Sequence, residues 1–339
     1  MKALKWIGLA LLAIIATPFL LGLTLRAVKP APPPPGELID VGGYALHLNC
    51  TGPEDSDYTV VFEAGAGVSS PNYYWIEANV SEVARFCIYD RAGLGWSEES
   101  GLPRDSETIA KALHRLLDEA GVKRPFVFAG HSIAGLYSRY YIHLYPDEVA
   151  GLVLLDPSHP NQTERLGFSP DAAFEKLAAM IRMMQFLLKS GLIELYDPRM
   201  TEAAAPWLSD FPAEVQEQIR WTAKRPSNFE AWIRETADFE KAAAQAAANR
   251  TLGDLPLIVV SATKPLPEGL YPNGADTRTT QEAIVAMHED IVSLSTRGEH
   301  FEVPTAEHMS LVQERANAEI AAGYIRRLLD RLHENKDGE

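Results

Sequence analysis

A serine lies where a short apolar stretch runs into an amphipathic one. Residues 125–135 read P-F-V-F-A-G-H-S-I-A-G, and the helical pattern of residues 136–145 follows. A strand that turns sharply into a helix with serine at the turn is the nucleophile-elbow arrangement. The turn strains the serine backbone and leaves room only for small residues two positions away, here Gly130 and Ala134. Ser132 is therefore a candidate nucleophile, and the alternative is a serine that only caps the helix.

Short apolar strands alternate with helical segments around this turn. From residue 58 onward the alternation predicts a mainly parallel sheet covered on both faces, and Gly42-Gly43 predicts a hairpin at its start. The predicted strands are 37–41, 44–50, 58–63, 86–89, 126–129, 149–155, 256–262 and 299–303.

The strand rhythm stops between residues 158 and 252, where the chain is alanine-rich, helical in pattern and broken by prolines. This insertion is either a lid over a site or a structural excursion, and Met and aromatic residues in such a segment more often form core than pocket. We expect one face of it to overlie the serine, with a share of its large apolar side chains lining a substrate cavity. These residues are Met180, Met183, Met184, Phe186, Leu187, Leu188, Trp207, Trp221, Phe229, Trp232 and Phe239.

The charge of the chain argues against a nucleic-acid partner. Its 31 Lys and Arg residues against 46 Asp and Glu residues give a net charge of −15. Phosphate binding depends mainly on lysine and arginine, which are in the minority here. A soluble body is the expected consequence of this acidity.

The N-terminal segment differs from the rest of the chain. Residues 6–25 carry no charge and are flanked by Lys2 and Lys5 before and by Arg26 and Lys29 after. About 20 apolar residues suffice for a helix to cross a bilayer, and no A-x-A-like cleavage site follows. We expect an uncleaved signal anchor and an extracytoplasmic body, the alternative being secretion after signal cleavage. The proline-rich residues 30–36 are expected to form a stiff spacer that holds the body off the membrane.

Five motifs in a fixed order resemble the α/β-hydrolase superfamily over roughly residues 37–333. They are A-G-A-G at 64–67, Y-D-R-A-G-L-G-W-S at 89–97, G-H-S-I-A-G at 130–135, L-L-D-P at 154–157 and A-E-H-M at 306–309. The resemblance implies an eight-stranded sheet with an antiparallel second strand and a helical cap after the sixth. The expected division is an anchor at 1–29, a linker at 30–36, a core at 37–157 and 253–333, and a cap at 158–252.

The resemblance also assigns roles. A serine nucleophile needs an adjacent base, and this fold places a histidine late in the chain, which His308 fits best. His131, beside the serine, is expected to be a packing residue. Relatives usually carry the acid after the seventh strand, where this chain offers only Glu268. Some carry it after the sixth, where it has Asp156, and we favour Asp156 over Glu268. The backbone N–H groups of Ile133 and Ala66 are the expected oxyanion-hole donors.

Two cysteines, Cys50 and Cys87, are by default free buried thiols. In the architecture that the resemblance implies, they fall on neighbouring antiparallel strands. A disulfide between them is therefore a hypothesis, and it would suit an extracytoplasmic body.

The function expected from these residues is a membrane-anchored serine hydrolase that cleaves an ester-type small-molecule acyl substrate through an acyl-enzyme. The alternatives are a non-hydrolytic ligand-binding protein and an acyltransferase or lyase on the same fold. No cofactor is expected, because the sequence shows neither a metal-ligand cluster nor a dinucleotide fingerprint.

Overall fold

An eight-stranded sheet forms the centre of the molecule, in the order β1-β2-β4-β3-β5-β6-β7-β8. The computed structural model describes residues 2–167, 170–196, 205–265 and 276–337. Strand β2 is antiparallel to both of its neighbours, and the remaining pairs are parallel. The strands are β1 Glu37–Asp40, β2 Ala45–Thr51, β3 Thr59–Glu63, β4 Arg85–Asp90, β5 Phe126–His131, β6 Val149–Leu155, β7 Leu257–Ala262 and β8 Gly298–Val303. The predicted sheet and its antiparallel second strand are confirmed.

Helices cover both faces because the buried strands are apolar on both sides. In β3, Val60 and Phe62 join the apolar cluster on one face of the sheet, whereas Val61 joins the cluster on the other face. This alternation follows from the two-residue period of a strand. The core helices are α2 Tyr74–Val80, α3 Ser106–Glu119, α4 Ala134–Leu144, α10 Thr277–Val292, α11 Ser310–Gln313 and α12 Arg315–Asp337.

A helical cap lies between β6 and β7, as the resemblance implied. Its α-helices in the described part of the chain are α5 Gln162–Leu166, α6 Pro170–Lys189, α7 Ala213–Ala223, α8 Pro226–Ala237 and α9 Phe239–Ala246. Three prolines begin helices among the described residues of this cap: Pro170 in α6, Pro226 in α8 and Pro206 in the 3₁₀ helix Pro206–Asp210. A proline is tolerated there because the first N–H groups of a helix have no intrahelical partner.

Cys50 and Cys87 form a disulfide. They face each other in the antiparallel register of β2 and β4, and no free cysteine is found in the described residues. The pairing hypothesis is therefore confirmed, and the alternative of two free thiols is wrong for this structure. A bond closing a loop of this length stabilises the fold by about 2–4 kcal/mol. It secures the antiparallel edge of the sheet.

The N-terminal segment forms one long helix, α1 Lys2–Val28. Its portion Lys5–Val28 has a mean hydropathy of 2.3 and is almost wholly exposed, so by length and composition it can cross a membrane. The linker that follows corrects an expectation. Pro32 is buried and its carbonyl accepts a hydrogen bond from Nε1 of Trp96 (2.9 Å), while the carbonyl of Pro35 pairs with His47. Pro32 and the carbonyl of Pro35 thus contact the core, so at these two positions the linker is not a free spacer.

Candidate active site

Ser132 occupies a strained turn between β5 and α4. Its φ is +60°, a left-handed value that a side chain with a Cβ adopts only at a cost. A Cβ added to Gly130 would lie 2.5 Å from the Cβ of Ala134, which shows why both positions must be small. Among the described residues, Asp156 is the other non-glycine residue with a positive φ, at +45°. Strain of this kind concentrates at functional sites.

Three side chains meet at the carboxyl ends of the strands. His308 Nε2 lies 3.0 Å from Ser132 Oγ, and His308 Nδ1 lies 2.5 Å from Asp156 Oδ2. Asp156 follows β6 directly, and its Oδ1 accepts a hydrogen bond from the N–H of Ala262 (2.9 Å). The structure brings together three residues that lie far apart in the sequence. The alternative acid, Glu268, lies outside the described residues.

Asp156 is held as a carboxylate. Burial alone would raise its pKa, but the hydrogen bond from His308, the charges of His308 and His288, and the N–H of Ala262 lower the pKa to about 2. An ionised carboxylate at Nδ1 fixes which imidazole nitrogen faces the serine. His308 Nε2 is thereby available to accept the proton of Ser132.

His131 does more than pack. The N–H of Gly65 donates to the hydroxyl of Tyr73 (2.7 Å), which lies 3.2 Å from His131 Nδ1. His131 Nε2 in turn lies 3.0 Å from the carbonyl of His308. Burial, followed by the charge of His308, lowers the pKa of His131 to about 3, so the ring is neutral. A neutral ring accepts from Tyr73 and donates to His308, which links the glycine-rich loop at 64–67 to the histidine loop.

Arg91 is a buried cation that sequence reasoning missed. Its Nη1 donates to Glu63 (2.6 Å) and to the carbonyl of Ala64 (2.7 Å), and its Nη2 donates to the carbonyl of Gly65 (2.7 Å). Its Nε and Nη2 donate to Glu235 on α8, at 2.7 and 2.9 Å. All three charged side chains are 0–1% exposed. Arg91 is part of the Y-D-R motif and so was visible in the sequence, but no motif contains Glu235 or indicates that it pairs with Arg91.

This ion network holds the glycine-rich loop from both sides. The carbonyls of Ala64 and Gly65 accept from Arg91, and the N–H of Gly67 donates to Glu235 (2.7 Å). Ala66 lies between these fixed points and packs on the apolar cluster that contains Ile133. The two amides expected to bind an oxyanion therefore belong to neighbouring, rigidly held segments.

A cavity of about 230 Å³ opens beside Ser132 and His308. Leu166, Ile284 and Met287 give it an apolar side, and Lys264 and Glu307, paired at 2.9 Å, are charged residues of its lining. Of the cap, Gln162 and Leu166 of α5 contribute to this lining among the described residues. None of the large apolar cap residues expected to line a cavity does so here. Trp207 packs on the core, Phe239 packs on the cluster that contains Ile133, and Met180, Met183 and Phe186 are exposed. That a share of the cap residues lines a substrate cavity stays a prediction.

Comparisons with known proteins agree with this architecture. A family model described as alpha/beta hydrolase fold matches residues 58–183. The uncharacterized protein YbdG of Bacillus subtilis is 30% identical over 129 residues, 38% of this chain and 39% of the relative. An uncharacterized vacuolar membrane protein of Saccharomyces cerevisiae is 28% identical over 134 residues, 34% of this chain and 20% of the relative. The matches thus span less than half the length of these relatives.

Solved structures extend the similarity to most of the chain. A thermophilic esterase from Thermogutta terrifontis aligns with a TM-score of 0.57 and 18% identity, covering 86% of this chain and 94% of the esterase. A structure described as a membrane phospholipase A aligns with a TM-score of 0.56 and 16% identity, covering 98% of this chain and 97% of the other. At these identities the likeness establishes the fold.

Removing the buried cation tests how much the network stabilises the protein. Arg91→Met leaves Glu63 and Glu235 buried without a cation, and we expect the free energy of unfolding to fall by about 3–5 kcal/mol. Urea unfolding in detergent measures it. Arg85→Met is the control, because Arg85 pairs with the largely exposed Glu54 at 3.5 Å, and a pair of this kind contributes about 0–1 kcal/mol. Equal losses in the two variants would contradict the role of the network.

The low pKa of His131 makes stability depend on pH. Below pH 6.5 the unfolded chain binds a proton at this ring, whereas the folded protein does not until about pH 3. Stability is therefore lost as the pH falls from 6.5 towards 3. We expect His131→Gln to flatten the dependence of the unfolding free energy on pH in this window, by up to about 1.4 kcal/mol per pH unit. Parallel curves for the two proteins would show that His131 is not neutral when folded.

Proposed function

We propose that this chain, which has the α/β-hydrolase fold, is a membrane-anchored serine hydrolase that cleaves an ester-type small-molecule substrate. The observation that carries the proposal is the continuous hydrogen-bonded series Ser132–His308–Asp156, at 3.0 and 2.5 Å. Ester hydrolysis is the reaction class that such a series performs. The names of two structural neighbours, an esterase and a membrane phospholipase A, agree with this class.

In the proposed reaction, Ser132 Oγ attacks the carbonyl carbon of the ester and His308 Nε2 takes the hydroxyl proton. The negative charge that develops on the carbonyl oxygen is bound by the N–H groups of Ile133 and Ala66. The C–O bond then breaks, and the leaving alcohol takes its proton from His308. Water, deprotonated by the same ring, then attacks the acyl carbon. The bond to Ser132 Oγ breaks, the carboxylic acid is released, and His308 returns the proton to Ser132.

Asp156 is the proposed acid. It is ionised, and it lies against the imidazole nitrogen that faces away from the serine. It orients the ring and stabilises the imidazolium that forms during each proton transfer. The strained turn after β6 places it there, in the same way that the elbow places Ser132.

Residues 6–25 are the proposed anchor, with the catalytic body on the extracytoplasmic side. The length and composition of α1 support a membrane span. The Cys50–Cys87 disulfide supports an oxidising compartment, because such bonds are rare in the cytosol. Secretion after cleavage of the segment is the alternative.

The activity itself is tested with a fluorophosphonate probe, which reacts covalently with an activated serine. We expect the full chain to be labelled and Ser132→Ala to show no labelling, because the phosphonylated oxygen is then missing. Ser138→Ala is the matched control, since Ser138 is a buried serine whose hydroxyl donates to the carbonyl of Ala134 (2.6 Å). Labelling that survives in Ser132→Ala would contradict the proposal.

The acid is tested by replacing each candidate with its amide. Asparagine tolerates the positive φ of position 156, so Asp156→Asn should fold. We expect it to lower kcat for a short soluble ester by roughly 10³–10⁴-fold, because an amide does not stabilise the imidazolium. Glu268→Gln should keep full turnover. The reverse pattern would move the acid to Glu268.

A further inference from the structure

The C-terminal part of α1 packs against the cap. The rings of Phe19 and Phe186 meet edge to face with centroids 6.0 Å apart. Gly22 and Gly191 approach so closely that a Cβ on Gly22 would lie 2.3 Å from the carbonyl oxygen of Gly191. The proposed anchor is therefore not a free tether, because its last three turns contact α6 and the residues just after it.

Arg26 adds polar contacts between α1 and the cap. Arg26 donates to the carbonyl of Leu188, and its Nε lies 3.8 Å from Glu194, whose side chain is 7% exposed. The linker then turns directly onto the core, where the carbonyl of Pro32 accepts from Trp96. The contacts of Arg26 and of the linker together hold the body next to the C-terminal end of α1.

The outer side of α6 is apolar and uncovered. Met180, Met183 and Phe186 are 53%, 56% and 53% exposed, whereas Ile181 and Leu188 of the same helix are buried. Spacing of three residues places the exposed side chains on one face. By the helical period, Arg182 and Lys189 lie along one border of that face. Lys189 pairs with Glu230 of α8 (2.5 Å), so Arg182 is the basic side chain there that can reach towards water or headgroups. An apolar face with a basic border is typical of helices that lie in a membrane interface.

The position of this face along α1 decides what covers it. Phe19 precedes Arg26 by seven residues, which is about 10 Å along a helix at 1.5 Å per residue. Phe186 contacts Phe19 and so lies at that level, inside the end of the apolar stretch 6–25. Interfacial helices bury their apolar face by about 5–10 Å. The contact with Phe19 holds Phe186 at about that depth relative to Arg26.

We infer that the α6 face of Met180, Met183 and Phe186 inserts into the same leaflet that holds the C-terminal end of α1. The cap is then a second membrane contact, and the occupant of this face is the lipid bilayer. This inference rests on the proposed membrane anchoring and not on the proposed chemistry. It also explains why these side chains do not line the cavity beside Ser132.

The inference is tested with the full chain reconstituted in phosphatidylcholine–phosphatidylglycerol vesicles. Because Cys50 and Cys87 are bonded to each other, a single introduced cysteine can be labelled with a nitroxide. Collisions with oxygen, which concentrates in the hydrocarbon, and with a water-soluble nickel complex report the depth of the label. The labelled positions are Met183→Cys, Glu119→Cys and Leu12→Cys.

At Met183→Cys we expect oxygen collisions to exceed nickel collisions. At Glu119→Cys, a similarly exposed position on α3 with a 53% exposed side chain, we expect the reverse. Leu12→Cys, in the middle of α1, should give the deepest label. If Leu12→Cys is deep and Met183→Cys is as open to nickel as Glu119→Cys, the inference is wrong and the anchor stands.

Two other results would also overturn the inference. If neither Leu12→Cys nor Met183→Cys is protected from nickel, the anchor and the α6 contact both fail. If the Met183→Cys spectrum is broadened by a second nitroxide, and the broadening disappears on dilution with unlabelled chain, a second copy covers the face. Probe labelling of Ser132 is measured on the same samples, so a loss of chemistry is seen separately from a loss of membrane contact.

Discussion

The left-handed backbone at Ser132 is the constraint on which the site depends. A serine at φ +60° between a buried strand and a helix projects its hydroxyl from the edge of the sheet. The turn is possible only because Gly130 has no Cβ and Ala134 has a small one. Once that hydroxyl is fixed, the loops after β6 and β8 have only to bring a carboxylate and an imidazole to the same edge.

Buried hydrogen bonds and ion pairs also fix the loops around the serine. Tyr73 and His131 connect the glycine-rich loop to the backbone of His308, and Arg91 connects the same loop to Glu63 and to Glu235 of the cap. Burial alone would lower the pKa of Arg91, but the two carboxylates raise it, so the cation persists. The cap thus contributes a charge that fixes the loop carrying Ala66, in addition to bordering the cavity with α5.

The cap has two chemically different sides. One side packs on the core and offers Glu235 to Arg91, and α5 borders the cavity with Gln162 and Leu166. The outer face of α6 carries large apolar residues that the described structure leaves exposed beside α1. A bilayer on that face would satisfy both its composition and its position.

Local patterns in the sequence determined much of the fold. The strand–turn–helix at Ser132, the alternation of strands and helices and the apolar N-terminal helix follow from sequence pattern. The antiparallel second strand was implied by the family resemblance that the order of the motifs carries. His308 and Asp156 were predicted as partners of Ser132 from that order, and the structure places them within hydrogen-bonding distance; their catalytic role stays a prediction.

The tertiary structure alone decided the contacts between distant segments. Arg91 and Glu235 are 144 residues apart, and the docking of Pro32 on Trp96 has no local signature. Such contacts form only where the sheet and the cap pack together, so no short stretch of the sequence predicts them.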